Sequence, residues 1–473
     1  MPDRYDAVVV GAGPNGLAAA VTLARDGRSV LVLEGAGTVG GGTRSAELTL
    51  PGVVHDVCSA FHPLLVASPF FRTLPLTELG IELVHPEAAF AHPLDDGTAV
   101  VVGPSVAATA DDLGEDARAW RRTFEPMVRN WQGLAEDILA PLRIPHHPFA
   151  MGRFGLRAVW PASRLIRSRF SGERARAALA GVAAHSMLPL QRTPSGFPLM
   201  MVFMAHALGW PVVRGGSQRI ADGMASYLRS LGGEVVCDFP VRSLDDVPAS
   251  DVVLFDVTPK QLLEIAGDRL AGRYRKGLER YRYGPGVVKC DWVLDGPIPW
   301  KAQECLRAGT VHLGGSLEEI EASETDANAG RMSQRPYVLL GQQSLFDDTR
   351  APSGQQVVWA YCHVPSGTPE DASGPIEAQI ERFAPGFADG VVAKAVRTAP
   401  EMEAYNPNYV GGDINGGAQD LRQHFTRPVS ALRPYATSDP RLFLCSSSTP
   451  PGGGVHGMCG YWAALAALRR LDG

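Results

Sequence analysis

Tyr5-Asp6-Ala7-Val8-Val9-Val10 runs directly into Gly11-Ala12-Gly13-Pro14-Asn15-Gly16 and then into an Ala/Leu-rich stretch reaching about Arg25. No other segment constrains the fold of this chain as much. A short β-rich apolar run that enters a Gly-x-Gly-x-x-Gly turn and leaves as a helix opens a βαβ unit suited to a diphosphate. Gly11 permits the tight turn, Gly13 lets a pyrophosphate approach the backbone, and Gly16 lets the helix pack close to the strand. The unpaired N–H groups at the helix N-terminus then face the phosphates. A second strand over residues 29–33 ends at Glu34, whose carboxylate is placed to accept from ribose hydroxyls and to repel a 2′-phosphate. The bland alternative is a glycine turn in an ordinary βαβ unit. The full context of strand, helix, second strand and acid favours an ADP-containing dinucleotide, and the motif alone does not choose between NAD and FAD.

At 473 residues the chain is too long for one hydrophobic core and fits two or three domains. Hydrophobic residues make up 45% and charged residues 20%, which excludes a disordered tail or a low-complexity chain. The net charge of −6 leaves no overall electrostatic footprint for nucleic acid, so no such partner is expected. Seven cysteines without a C-x-x-C pair signal no disulfide framework, dithiol centre or zinc site, and no metal is assigned. With no export signal ahead of the first strand, the expected location is cytoplasmic.

Two further segments repeat the chemistry of the first. Val39-Gly40-Gly41-Gly42-Thr43-Arg44 lies just beyond the second strand, where a backbone without side chains can run close to a ligand; the other reading is a flexible loop. Near the other end, Leu442-Phe443-Leu444 leads through Cys445-Ser446-Ser447-Ser448-Thr449-Pro450-Pro451-Gly452-Gly453-Gly454-Val455-His456-Gly457-Met458-Cys459-Gly460 into a last Ala/Leu helix. This is again strand, glycine loop and helix N-terminus.

With VVVGAGPNGLAAA, Glu34, VGGG, Trp210-Pro211-Val212-Val213-Arg214-Gly215-Gly216 and LFLCSSSTPPGGGVHGMCG in view, the chain resembles the phytoene desaturase-like family of FAD-dependent oxidoreductases. That family lies within the wider group of carotenoid desaturases, amine oxidases and Rab GDP-dissociation inhibitors. The resemblance implies an α/β fold with a Rossmann-like FAD-binding domain of the glutathione reductase/amine oxidase type, interleaved with a substrate domain. The FAD domain is expected from residues 1–75, 205–285 and 405–473, a helical cap from 76–204 and a substrate sheet from 286–404. The cofactor implied is FAD, with Gly41 and Gly42 approaching the second phosphate, Val241 against the adenine, and Gly453, Gly454, Val455 and Met458 at the flavin edge. Gly42 stands where the family usually has an arginine and Arg44 follows two positions later, which puts an arginine–phosphate contact in doubt.

Two histidines are candidate catalytic groups. His456, in the last glycine turn, reads either as a proton relay at the flavin edge or as a polar residue filling a tight turn. His62 follows the second-strand region into a part of the family fold that passes near the active face. Cys445 and Cys459 flank the flavin loop, as a covalent flavin link or as small packing residues.

The expected activity is removal of hydride from a C–H bond of an apolar, isoprenoid or lipid-like substrate. Flavin amine oxidation and a non-catalytic lipid- or protein-binding role on the same scaffold are the alternatives. The chain has no second complete Gly-x-Gly-x-x-Gly unit preceded by a strand and closed by an acid, so oxygen, a quinone or a protein carrier is the expected electron acceptor. Residues 118–176 contain twelve arginines against Glu125, Glu136, Asp137 and Glu173, interleaved with aromatics. This reads as a peripheral membrane contact, or as cap-helix core with a solvated arginine face.

Overall fold

The computed structural model describes residues 4–430 and 433–473. Five parallel strands form the first sheet, in the order Leu442–Leu444, Ser250–Phe255, Tyr5–Val10, Val30–Leu33, Glu234–Val236. The central strands are unbroken apolar runs because both faces of the sheet are covered. Ala7 and Val9 face a cluster with Ala18 and Leu254, whereas Val8 and Val10 join clusters on the other side with Leu31 and Phe255.

The helix Pro14–Arg25 packs against Met458–Leu471 and Gln218–Ser230. A Cβ at Gly460 would stand 1.8 Å from the Asn15 carbonyl oxygen, so the crossing of the first and last helices tolerates only hydrogen at that point. This close approach brings the two chain ends together.

The second sheet is mixed, with seven strands in the order Val391–Arg397, Gly286–Leu294, Gln356–Val364, Val338–Gly341, Ala308–Leu313, Ala88–Pro93, Ala99–Val102. All neighbours are antiparallel except Ala308–Leu313 and Ala88–Pro93, which run parallel. The α/β class, with a Rossmann-like parallel sheet beside a separate mixed sheet, is therefore as expected. Two strands of the mixed sheet come from the stretch read above as helical cap. The cap helices follow them, among them Ala117–Arg129, Pro148–Ala158, Ala162–Arg169, Glu173–Ala184 and Gly196–Leu208. Among the described residues, no helix is long and apolar enough to cross a membrane.

Arg350 joins the two sheet systems. Completely buried, it bonds Asp347 at 2.6 Å and Asp56 at 2.9 Å. Asp56 in turn accepts from the Ser217 N–H and the Ser45 hydroxyl. A buried guanidinium is tolerable only with such pairing, and here it ties the loop after the glycine cluster to the segment beginning at Gly215.

Candidate nucleotide and substrate site

The glycine turn is packed as its motif requires. A Cβ on Gly16 would fall 2.1 Å from the Gly11 oxygen, and one on Gly41 would lie 3.1 Å from Gly13 Cα. The second glycine cluster thus lies directly over the first. Gly11, Gly13, Glu34, Gly41, Gly42, Val241, Gly454, Val455 and His62 all line one cavity of about 590 Å³. Gly16, Gly453, Met458 and His456 stand behind it. Gly16 supports the helix, and Gly453 packs on the Asn415 carbonyl.

Glu34 is held from three sides. Its Oε2 accepts from the Ala12 N–H at 2.7 Å, and Oε1 accepts from the Ala36 N–H and from Arg44 Nη2, both at 2.9 Å. Two carboxylate oxygens offer about four lone-pair sites, so the group retains capacity for a ribose hydroxyl. Arg44 also donates to the Thr38 carbonyl. Its guanidinium is thus engaged by Glu34 and the loop backbone.

Sequence reasoning missed Asp256, which ends the strand Ser250–Phe255. Its Oδ2 accepts from the Gly16 N–H at 2.8 Å, so one donor expected to face a phosphate is already satisfied within the protein. Burial pushes this carboxyl up to about 7, against the opposing pull of the Gly16 N–H. The only signal in the sequence is an acid immediately after an apolar strand, a pattern too common to stand out.

The last glycine turn meets the first. Asn15 Nδ2 lies 3.4 Å from Ser447 Oγ, and a Cβ on Gly457 would touch Ala18. His456 is the lock of this turn: Nε2 donates to the Gly452 carbonyl at 3.1 Å, and Nδ1 accepts from the Met458 N–H at 3.0 Å. Burial pushes the ring down to about 4. Both nitrogens are engaged within the turn, and His456 stands behind the cavity wall rather than lining it. Cys445 and Cys459 are buried and line no part of the cavity. The Cys459 thiol points at the Thr449 and Gly452 carbonyls and is pushed up to about 12 by burial, as a packing residue would be.

Beyond the glycine cradle the same cavity continues between Phe61, Leu64, Met201, Trp210, Leu339, Trp359 and Tyr361. Trp359 and Tyr361 stack with centroids 5.6 Å apart and planes 15° apart. His62 Nε2 bonds Ser217 Oγ at 2.8 Å, while the buried Nδ1 has no partner; burial pushes the ring down to about 4. His185, also on the wall, bonds His312 through the two Nε2 atoms at 2.9 Å and is pushed down to about 3 by burial. Both imidazoles are neutral at pH 7. A cradle closed to any Cβ and the unpartnered Asn15 Oδ1 and His62 Nδ1 fit an extended dinucleotide with a second molecule beside it.

Comparison with known proteins agrees with this geometry. Residues 9–72 match the NAD(P)-binding Rossmann-like domain, a description that covers the ADP half shared by both dinucleotides. The chain is 27% identical to mouse pyridine nucleotide-disulfide oxidoreductase domain-containing protein 2, over 99% of this chain and 94% of that one. It is 28% identical to hydroxyneurosporene desaturase of Cereibacter sphaeroides over half of each chain. A putrescine oxidase redesigned in cofactor binding shares the fold, with TM-score 0.62 over 99% of both chains at 17% identity. The chain thus combines a glycine turn sealed by the last helix and facing an aromatic chamber with a Rossmann-like nucleotide-binding segment, with sequence likeness to an oxidoreductase-domain protein and a desaturase, and with the fold of an amine oxidase.

Proposed function

We propose that the protein is an FAD-dependent dehydrogenase or desaturase that removes hydride from a C–H bond of an apolar, isoprenoid- or lipid-like substrate. The observation that carries this reading is the continuity of one cavity from Glu34, through the paired glycine clusters, into the chamber walled by Phe61, Leu64, Met201, Trp210 and Trp359. Glu34 would hold the ribose, Gly11 and Gly13 the diphosphate, Gly41 and Gly42 the approach to the second phosphate, Val241 the adenine, and Gly454 and Val455 the ring. When bound, FAD supplies the hydride acceptor.

The chain itself supplies position, dryness and a fixed field. The N-terminus of Met458–Leu471 favours negative charge beside it by about 0.3–2 kcal/mol. The aromatic walls exclude water and hold an apolar molecule in line, and alignment alone contributes strongly to hydride transfer. His185 is a neutral hydrogen-bonding group on a largely apolar wall, placed to orient the polar end of a substrate.

The likeness to hydroxyneurosporene desaturase supports putting isoprenoids in the test panel. Trp359 and Tyr361 stack on each other at positions two apart on one strand, an arrangement that supports an apolar wall over a cage of two rings facing across an amine. The test begins with absorbance near ~370 and ~450 nm, the oxidised flavin bands, before and after adding FAD. Anaerobic bleaching by isoprenoids or lipids is the expected result. Rapid bleaching by amines alone would reverse the assignment in favour of amine oxidation, and a colourless protein that takes up no FAD would leave only a binding role.

A further inference from the structure

The helical cap carries a second concave site, remote from the glycine cradle in sequence and built from arginine. Helix Ala117–Arg129 contributes Arg118, Arg121, Arg122 and Arg129 to a cleft of about 940 Å³; helix Pro148–Ala158 adds Arg153 and Arg157, and Arg169 closes it. Glu125 is the one carboxylate in its lining. Arg121 is paired with Asp111 and Arg129 with Glu125. Among the described residues, Arg118, Arg122, Arg153, Arg157 and Arg169 have no carboxylate within ion-pair distance. Burial chiefly, and then the charges of Arg169 and Arg153, lower the proton affinity of Arg157. Five unpaired guanidinium groups around one hollow repel each other unless an anion enters it.

The segment that carries Arg153 and Arg157 also exposes apolar side chains. Among the described residues ten large hydrophobic side chains are exposed, and six of them fall within residues 142–160. Leu142 is 80% exposed, Ile144 88%, Phe149 89% and Leu156 76%; Val159 and Trp160 complete the set. Phe149 and Leu156 lie seven residues apart on helix Pro148–Ala158 and share one face, with Arg153 and Arg157 beside them. Arg164 stacks on Trp160 at 4.5 Å. The inward face of the same helix is ordinary core, Phe154 meeting Phe203 edge-on. Trp120, Phe124 and Phe170 are likewise buried. The two readings of the arginine-rich segment thus divide by residue: most aromatics are core, while this crest is bare.

We propose that the arginine cleft and the crest formed by Leu142, Ile144, Phe149 and Leu156 dock the protein on an anionic phospholipid bilayer, the guanidinium groups taking headgroup phosphates and the crest entering the acyl boundary. A nucleic acid or a soluble phosphate would satisfy the arginines but leave the crest in water, whereas a bilayer offers phosphate and hydrocarbon side by side. The charge distribution turns this face toward a negative surface: residues 118–176 are strongly basic within a chain of net charge −6. The docked helix packs against Gly196–Leu208, whose Met201 lines the substrate chamber. The docking itself does not depend on the substrate assignment.

The test is flotation of the full-length protein with vesicles of phosphatidylcholine alone and with added phosphatidylglycerol, at low and high salt. Binding to the anionic vesicles, weakened by salt, is expected. Phe149→Ser with Leu156→Ser, and separately Arg153→Glu with Arg157→Glu, should each weaken it at least about tenfold. Melting temperature and flavin content serve as folding controls. Three outcomes overturn the proposal: no vesicle binding by the wild type; equal binding by the Phe149/Leu156 variant; or a wild-type dimer that the Phe149/Leu156 variant dissociates, with no affinity for vesicles. Tight binding of an oligonucleotide without vesicle binding would assign the cleft to nucleic acid instead.

Discussion

The nucleotide cradle and the arginine cap use opposite means of receiving a charged ligand. At the cradle, charge is sparse and backbone is bare: Gly13, Gly41 and Gly42 line the cavity, Glu34 is held by two N–H groups and Arg44, and Gly460 lets the last helix seat on Asn15. At the cap, guanidinium groups on long stems surround a hollow, most of them without a carboxylate partner, and apolar side chains stand in solvent. The first arrangement is preorganised and so suits one rigid molecule at low entropic cost. The second is adaptable and suits a surface whose groups can rearrange. Substitutions at the cradle should therefore act on folding and cofactor together, whereas those at the cap should leave both alone.

The strongest break in that comparison is Gly16→Val. Its Cβ would meet the Gly11 oxygen, so the first helix must shift; overpacking of about 1–3 kcal/mol and loss of nearly all bound flavin are expected from thermal melts and absorbance after reconstitution. Undiminished flavin in a folded variant would show that the turn does not bear on the cofactor. Glu34→Ala comes next. It strands the Ala12 and Ala36 N–H groups and Arg44, at about 1–3 kcal/mol for the unpaired groups, and calorimetric titration should show FAD bound about 10- to 100-fold more weakly.

The pH dependence sharpens the picture of the interior. His62, His92, His206 and His456 are each pushed down to about 4, and His185 to about 3, chiefly by burial. Between about pH 6.5 and 4 the unfolded chain binds protons at these sites that the folded chain refuses, so stability must fall as pH falls through that window. Asp256 has the opposite sign. Its folded value of about 7 lies above the ordinary 3.8, so its contribution is lost as pH rises between them. Asp256→Asn should consequently steepen the rise of melting temperature from pH 4 to 6.5, and an unchanged slope would mean that Asp256 is solvated. The smallest effect belongs to the cap. Phe149→Ser and Leu156→Ser should move stability by no more than about 0.5 kcal/mol, since neither side chain packs on anything.

The cradle was the most legible part of the chain because its requirements are local. A glycine at residue 16 is required by an atom five residues away, and the spacing to Glu34 is set by one helix and two strands. The last glycine turn was legible for the same reason, although His456 was read in two ways. Only the fold showed that both of its ring nitrogens are taken by Gly452 and Met458. Asp256, His185 and Trp359 could not be placed in advance. Each arrives from a different sheet or helix, and no periodicity relates one to another. The cap aromatics were ambiguous because Phe149 and Phe154 stand in the same short helix, and nothing but the packing of Phe203 distinguishes the face that is buried.

By itself, then, the amino-acid order determined the glycine turns at the two ends, the acid after the second strand and the α/β class, since these follow from backbone sterics and short-range spacing. The tertiary structure alone decided that the two ends meet across Asn15 and Gly460, that Asp256 takes the Gly16 N–H, and that arginines from three helices surround one cleft. Contacts between residues hundreds of positions apart depend on how layers pack, and a one-dimensional pattern carries no distance between layers.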